Sequence, residues 1–185
     1  MEKNLKIKVY PYKKMAGILL NATKISPSDE KILYVVCGPS GSGKSTIMAN
    51  LYKANKINVP FINFATLKRS GTETPLEQVL KDKISEGKGF AFEWDSSSKE
   101  ILRLLKYAKD NDFKIKTYFV FTTSASVNEQ RAELRYKQGG EFYNNDEILE
   151  NYKNTLPLSK SLKKISDEFV LIDSTFIKGT PIQSL

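Results

Sequence analysis

Residues 32–37, Ile-Leu-Tyr-Val-Val-Cys, are apolar without interruption, the signature of a strand covered on both faces in a parallel sheet. A glycine-rich turn follows at once, and the pattern from Ser45 to Asn55 predicts a helix. Val59 to Phe64 reads as a second short strand, completing a βαβ unit. Thr74-Pro75-Leu76-Glu77 combines a capping box with proline at the first helical position, so a helix is predicted to about Glu86, where Gly87 and Gly89 stop it. Phe90-Ala91-Phe92 predicts a third strand. Ser97-Ser98-Lys99-Glu100 then caps a helix with Ile101, Leu104, Leu105 and Ala108 on one face. A fourth strand spans about Ile115 to Thr122, and Ser126-Val127-Asn128-Glu129 reads as a capping box opening a helix that ends at Gly139-Gly140. A longer helix starts near Asn145 and runs towards Lys164, kinked or divided by Pro157. Phe169 to Ile172 forms a last strand ending at Asp173.

Strands that alternate with helices along the whole chain predict an α/β fold, a doubly wound, mainly parallel five-stranded sheet with helices on both faces. With 185 residues the chain has room for one well-buried domain, placed at 30–185, and residues 1–29 form an N-terminal extension. Within the extension, Lys6-Ile7-Lys8-Val9-Tyr10 alternates like an edge strand that Pro11 ends. The apolar run from Met15 to Leu20 is too short for a signal core and no run approaches membrane-spanning length, so a cytoplasmic protein without membrane contact is expected.

Composition restricts the chemistry. Histidine is absent and Cys37 is the lone cysteine, so Ser-His-Asp triads, His-ligated zinc, CxxC redox centres and internal disulfides are excluded. Catalysis has to use carboxylates, lysine, arginine, hydroxyls and bound cations. The net charge of +8 invites a nucleic-acid partner, yet Arg69, Arg103, Arg131 and Arg135 are the only arginines. The remaining positive charge is lysine scattered over helix surfaces, so a solvated lysine-rich face is the stronger reading.

Gly38-Pro39-Ser40-Gly41-Ser42-Gly43-Lys44-Ser45 matches G-x-x-x-x-G-K-[ST] and lies between the buried strand and a helix start, where a phosphate-binding P-loop has to lie. Glycines let the backbone turn its N–H groups towards phosphate oxygens, and the helix that follows adds its positive end. Gly38, Ser40, Gly41, Ser42, Gly43, Lys44, Ser45 and Thr46 are therefore the nucleotide-binding candidates. Lys44 brings charge to the β/γ-phosphates of ATP, and the Ser45 hydroxyl is the candidate ligand for Mg2+. No N-K-x-D guanine-reading signature and no hhhhDE segment is present, so within the P-loop NTPase fold a small kinase fits better than a GTPase or a motor.

Arg131 and Arg135, four residues apart, share a helix face just ahead of the Gly139-Gly140 joint. In a chain that otherwise chooses lysine, they read as planar, bidentate phosphate donors. The competing reading is ordinary surface pairing with Glu129 and Glu133.

With these segments, the chain resembles the zeta toxin family over about residues 32–175. The likeness comprises the P-loop, the Phe92-Glu93 pair ending the third strand, the Arg131…Arg135…Gly139-Gly140 pattern, and Asp173-Ser174. Members of that family are P-loop kinases reported to phosphorylate UDP-N-acetylglucosamine. The resemblance implies that Arg131 and Arg135 stabilise charge on the transferring phosphoryl group and that Glu93 holds the sugar-nucleotide substrate. It also implies an antitoxin, and a positive surface suits an acidic one.

The chain departs from the family at the aspartate that serves as base after the second strand, where Phe61-Ile62-Asn63-Phe64-Ala65-Thr66 carries no carboxylate. Glu141 stands where a histidine follows the glycine pair, and Asn151 and Asn154 stand where arginines flank Tyr152. Asp95, just beyond the third strand on the side where open α/β sheets bind ligands, is the candidate replacement base, with a plain helix-start role as its alternative. Trp94 beside it reads equally as a stacking surface for a base or sugar and as core. The competing functions are an ATP-binding regulatory protein that has lost transfer and a polynucleotide 5′-kinase.

Overall fold

The computed structural model describes residues 12–63, 75–94, 100–139, 144–176 and 183–184. In chain order the elements are α1 (Tyr12–Ala22), β1 (Ile32–Cys37), α2 (Lys44–Lys53), β2 (Phe61–Ile62), α3 (Leu76–Ser85), β3 (Phe90–Trp94) and α4 (Glu100–Asp110). They are followed by β4 (Lys114–Phe121), α5 (Ala125–Lys137), α6 (Asn145–Thr155), α7 (Leu158–Ile165), β5 (Glu168–Asp173) and β6 (Gln183–Ser184). The sheet has the order β2-β3-β1-β4-β5-β6; the first five strands run parallel, and β6 pairs antiparallel on β5. This is the expected α/β sheet with a short antiparallel edge added.

β1 is central because it can be apolar on both sides. Leu33, Val35 and Cys37 join the core beneath α3, α4 and α7, while Tyr34 and Val36 join the core beneath α1 and α2. Each fully buried Leu or Val contributes about 1.5–3 kcal/mol. In β3, Phe90, Phe92 and Trp94 face the first core and Ala91 the second. Alternation therefore turns Glu93 towards α2. The Phe92 and Trp94 rings meet edge-on at 6.2 Å, so the Trp94 ring belongs to the core and does not lie open for stacking.

Several boundaries moved. Val59 is buried but precedes β2, which holds only Phe61 and Ile62 on the sheet edge; Phe64 lies outside the described residues. The helix after it starts at Leu76 with Pro75 in the cap position, and Thr74 is likewise outside. α5 starts at Ala125 with Ser124 in the cap position, so the expected Ser126–Glu129 capping box is not formed; the Asn128 side chain is used in tertiary contacts instead. Asn144 caps α6 with a full capping box on Glu147. Pro157 divides the long helix into α6 and α7, since proline cannot donate to the i−4 carbonyl. The charge-poor run 15–20 falls in α1, whose Leu19 and Ala22 pack on α2. The alternating stretch 6–10 lies outside the described residues.

Candidate functional site: a phosphate-binding loop bolted to three elements

The C-terminal ends of the parallel strands gather the candidate residues at one sheet edge. The loop leaves β1 at Gly38, where an added Cβ would sit 1.9 Å from the Val120 carbonyl oxygen, so no other residue fits beside β4. Gly41 has φ +77, and a Cβ there would approach the Asn128 carbonyl oxygen to 2.5 Å. Both glycines are demanded by close backbone approach as well as by conformation. Gly43, also left-handed, is the N-cap of α2. Ile47 N–H donates to the Gly43 carbonyl at 3.1 Å, so the amides of the turn before it emerge at the helix start, towards the loop.

Lys44 is buried, and its Nζ donates to the carbonyls of Gly38 (3.1 Å) and Pro39 (2.9 Å). The ammonium is thus folded back across the loop that it would serve. Ser45 Oγ donates to Glu93 Oε2 at 2.8 Å, joining the start of α2 to the end of β3. Thr46 Oγ1 points to Met15 Sδ of α1 at 3.6 Å, and Ser42 is fully buried with no hydrogen-bond partner for its hydroxyl among the described residues. The Cys37 thiol lies directly behind the loop; burial pushes it up to about 12, against the opposing effect of Lys44.

Two asparagines grip the outer turn. Asn128 Nδ2 donates to the Ser40 carbonyl at 2.7 Å while its Oδ1 accepts from Thr122 Oγ1, and Ser40 N–H donates to Asn151 Oδ1 at 2.7 Å. The first comes from α5 and the second from α6. Neither contact was legible in the sequence, although an asparagine inside an apparent capping box is the one signal that Asn128 offered.

Arg131 reaches the loop from α5. Its guanidinium donates to Ser42 O (3.5 Å), Ser174 Oγ (3.2 Å), Ser174 O (2.5 Å) and Thr175 O (3.2 Å). Ser174 Oγ in turn donates to Ser42 O at 2.5 Å. Burial pulls the Arg131 pKa below the usual arginine range, with Asp173 opposing; the group stays cationic. The guanidinium of Arg131 is used on Ser42, Ser174 and Thr175 rather than on the Glu129 and Glu133 of the surface-pair alternative, and Glu133 pairs with Lys137 at 2.7 Å. Arg135 lies one turn further along α5 and is half-buried. Asp95, Gly140, Glu141 and Ala65 lie outside the described residues.

The residues brought together are therefore the loop, Lys44, Ser45, Glu93 and Arg131. Ser45 and Glu93 offer oxygen donors, the kind that suits Mg2+. Among the described residues there is no group of three or more acidic, Cys or His side chains that could hold a metal. A separate groove of about 600 Å3 lies at the β2 edge, lined by residues such as Leu20, Ile25, Phe61 and Val79; it includes no loop residue. No helix among the described residues is long and apolar enough to cross a membrane.

Neither a protein-family model nor a curated protein sequence matches the chain. Solved structures do. A chain of the PezAT chromosomal toxin-antitoxin system of Streptococcus pneumoniae aligns over 90% of this chain and 80% of its own, with TM-score 0.58 and 16% identity. The native AvrRxo1-ORF1:-ORF2 complex aligns over 91% of this chain with TM-score 0.60 and 14% identity. The same complex with ATP aligns over 86% with TM-score 0.58 and 14% identity. The chain spans 65% and 60% of the length of those two. At such identities the likeness establishes the fold alone, an α/β P-loop domain.

Proposed function

We propose that the protein is a Mg-ATP-dependent small-molecule kinase that transfers the γ-phosphate of ATP to a hydroxyl of a sugar nucleotide, with UDP-N-acetylglucosamine as the first acceptor to try. The observation that carries this reading is the loop itself: a glycine-enforced turn at the end of the central strand, with Lys44 and Ser45 at the start of α2 and Ser45 joined to a carboxylate on the neighbouring strand. The solved relative containing ATP supports nucleotide binding. The acceptor class comes from the zeta-toxin resemblance, and consumption of a cell-wall precursor would make the protein a toxin. The toxin-antitoxin relative and the +8 charge together support an acidic antitoxin as protein partner.

In this mechanism the loop amides and the α2 start hold the β- and γ-phosphates, and Lys44 exchanges the Gly38 and Pro39 carbonyls for phosphate oxygens. Ser45 would be among the ligands of a magnesium ion bound with the nucleotide, which would supply neutralisation of phosphate charge. Arg131, with Nη1 3.9 Å from where a Cβ on Gly43 would lie, brings cationic charge to the loop, and Arg135 supplies a second donor. The acceptor oxygen forms a bond to the γ-phosphorus as the bond to the β-phosphate oxygen breaks. The hydroxyl proton passes to a carboxylate, for which Asp95 is the candidate, and ADP leaves. The transition state is loose, so positioning and charge carry most of the rate and a late proton transfer suffices.

The test is incubation with γ-labelled ATP against a panel of UDP-sugars, nucleosides and oligonucleotides, with Lys44→Ala as the inactive control. Label on a UDP-sugar supports the reading. Label on oligonucleotides alone makes the protein a polynucleotide kinase, and ATP binding without any labelled product makes it a nucleotide-binding regulator.

A further inference from the structure

β2 ends the sheet, and among the described residues no strand pairs on its outer side. Ala91 N–H donates to the Pro60 carbonyl at 2.9 Å, and the register sets Phe61 opposite Ala91. Successive residues of a strand present their N–H and C=O groups to opposite sides, so those of Phe61 turn away from β3. Further back, Gly89 N–H donates to the Ser28 carbonyl at 3.0 Å, which lays the segment after α1 along the start of β3, in line with β2. Ser26-Pro27 from that segment and Pro60 to Asn63 both line the groove of about 600 Å3.

The walls of the groove are apolar, Ile25, Phe61 and Val79 among them, and its charged residues are Lys24, Lys83, Lys88 and Glu86. Glu86 is taken by Lys83 at 2.6 Å. Lys24 and Lys88, both exposed, have no ion pair among the described residues, so the groove carries net positive charge. An occupant that fits has to offer an acceptor for Phe61 N–H, a donor for Phe61 C=O, apolar side chains and negative charge. An extended peptide with acidic residues has all of these. A fatty acid would fill the apolar walls and meet the lysines, but it would leave the Phe61 backbone groups unpaired. A second copy of this chain would bring lysine against lysine, the arrangement by which sheet edges avoid pairing with themselves.

We propose that the groove at the β2 edge is a docking site for an acidic, extended segment of a partner protein, which adds to the sheet as a further strand beside Phe61. The groove includes no residue of the phosphate loop, so the proposal does not rest on the kinase reading.

The experiment is fluorescence anisotropy of labelled short peptides titrated with the full chain. The probe is Glu-Glu-Val-Ile-Val-Glu-Glu, blocked at both ends, and its control is Lys-Lys-Val-Ile-Val-Lys-Lys. The acidic peptide should bind saturably and the basic one at least about tenfold more weakly, a preference that shrinks in high salt. Lys24→Glu/Lys88→Glu, two changes at exposed positions, should reverse the preference, with circular dichroism confirming the fold. Strand addition is tested by two versions of the acidic peptide, each N-methylated at alternate residues so that it loses the donors along one edge. One version should lose about tenfold or more in affinity and the other should bind like the parent, because only one edge meets Phe61. Absence of saturable binding by the acidic peptide, or equal binding of acidic and basic peptides, would overturn the proposal, the latter in favour of apolar adsorption. Equal behaviour of the two methylated versions would refute strand addition, and an unchanged affinity in Lys24→Glu/Lys88→Glu would place the peptide elsewhere on the molecule. Dimerisation of wild type in sedimentation velocity that displaces the acidic peptide would give the groove to a second copy and end the proposal.

Discussion

Arg131 donates to oxygens of Ser42, Ser174 and Thr175, so one guanidinium holds the loop, the end of β5 and α5 in register. Its proposed role in transfer is superimposed on this structural one, and the two are separable. Arg131→Ala should lower stability by about 1–3 kcal/mol, because buried carbonyls lose a charged donor, and should also lower turnover. Arg131→Lys should recover part of the stability but little of the rate, since an ammonium lacks the planar fork. Arg135→Ala should slow transfer by roughly a thousandfold if it meets charge on the γ-phosphoryl group. Denaturation midpoints set beside kcat check all three, and full activity in both alanine variants would remove the phosphate clamp. Asp95→Asn should lower turnover by roughly a hundredfold with ATP affinity unchanged; wild-type rates would end its candidacy as the base.

At the scale of elements, the loop is held by α5 and α6, whose Asn128 and Asn151 bond the Ser40 carbonyl and the Ser40 N–H. Asn128→Ala removes the donor to the Ser40 carbonyl, while the Thr122 hydroxyl keeps the Ser124 carbonyl at 3.0 Å as acceptor. The expected cost is about 1–3 kcal/mol, with weaker ATP binding as the loop relaxes, read by denaturation and calorimetry. Asp167, before β5, ties α4 to β4 by accepting from Lys109 and from Ile115 N–H. Burial raises its carboxyl pKa, but these hydrogen bonds outweigh burial and hold it below the usual range. A carboxyl lowered in the folded state stabilises the fold above its unfolded value, about pH 4, and that contribution is lost as pH falls through the folded value. Asp167→Asn should therefore cost stability at pH 7, by no more than about 1 kcal/mol for so exposed a pair, and the difference from wild type should vanish in acid. A pH-independent difference would refute the linkage.

For the molecule as a whole, Cys37 is a single internal probe of opening. It is buried at the end of the central strand, behind the loop, and burial pushes its thiol up to about 12. At pH 8 a thiol reagent should find almost no reactive sulfur in the native protein and one equivalent after denaturation. Under the proposed function, Mg-ATP should slow the residual labelling as it saturates the protein, because a ligand of the folded state suppresses opening. Labelling of native protein at the rate of a free thiol would contradict the burial of β1.

The local features were legible because short-range chemistry sets them. The uninterrupted run of β1, the left-handed glycines of the loop, the strand-helix alternation and the division at Pro157 depend on residues a few positions apart. The site candidates Lys44 and Ser45 came from the same source. Periodicity states which face is buried but not which element covers it, and there the reading stopped. Ser126–Glu129 looked like a cap locally, but Asn128 instead bonds to Ser40, 88 residues away. Asn151 crosses 111 residues to the same turn, and Arg131 reaches Ser174 across 43. Glu93 was found by likeness, but only strand order and register put its carboxylate on the Ser45 hydroxyl. Such contacts depend on how strands are ordered and helices laid over the sheet edge, a choice made by the packing energy of the whole chain that no single segment encodes.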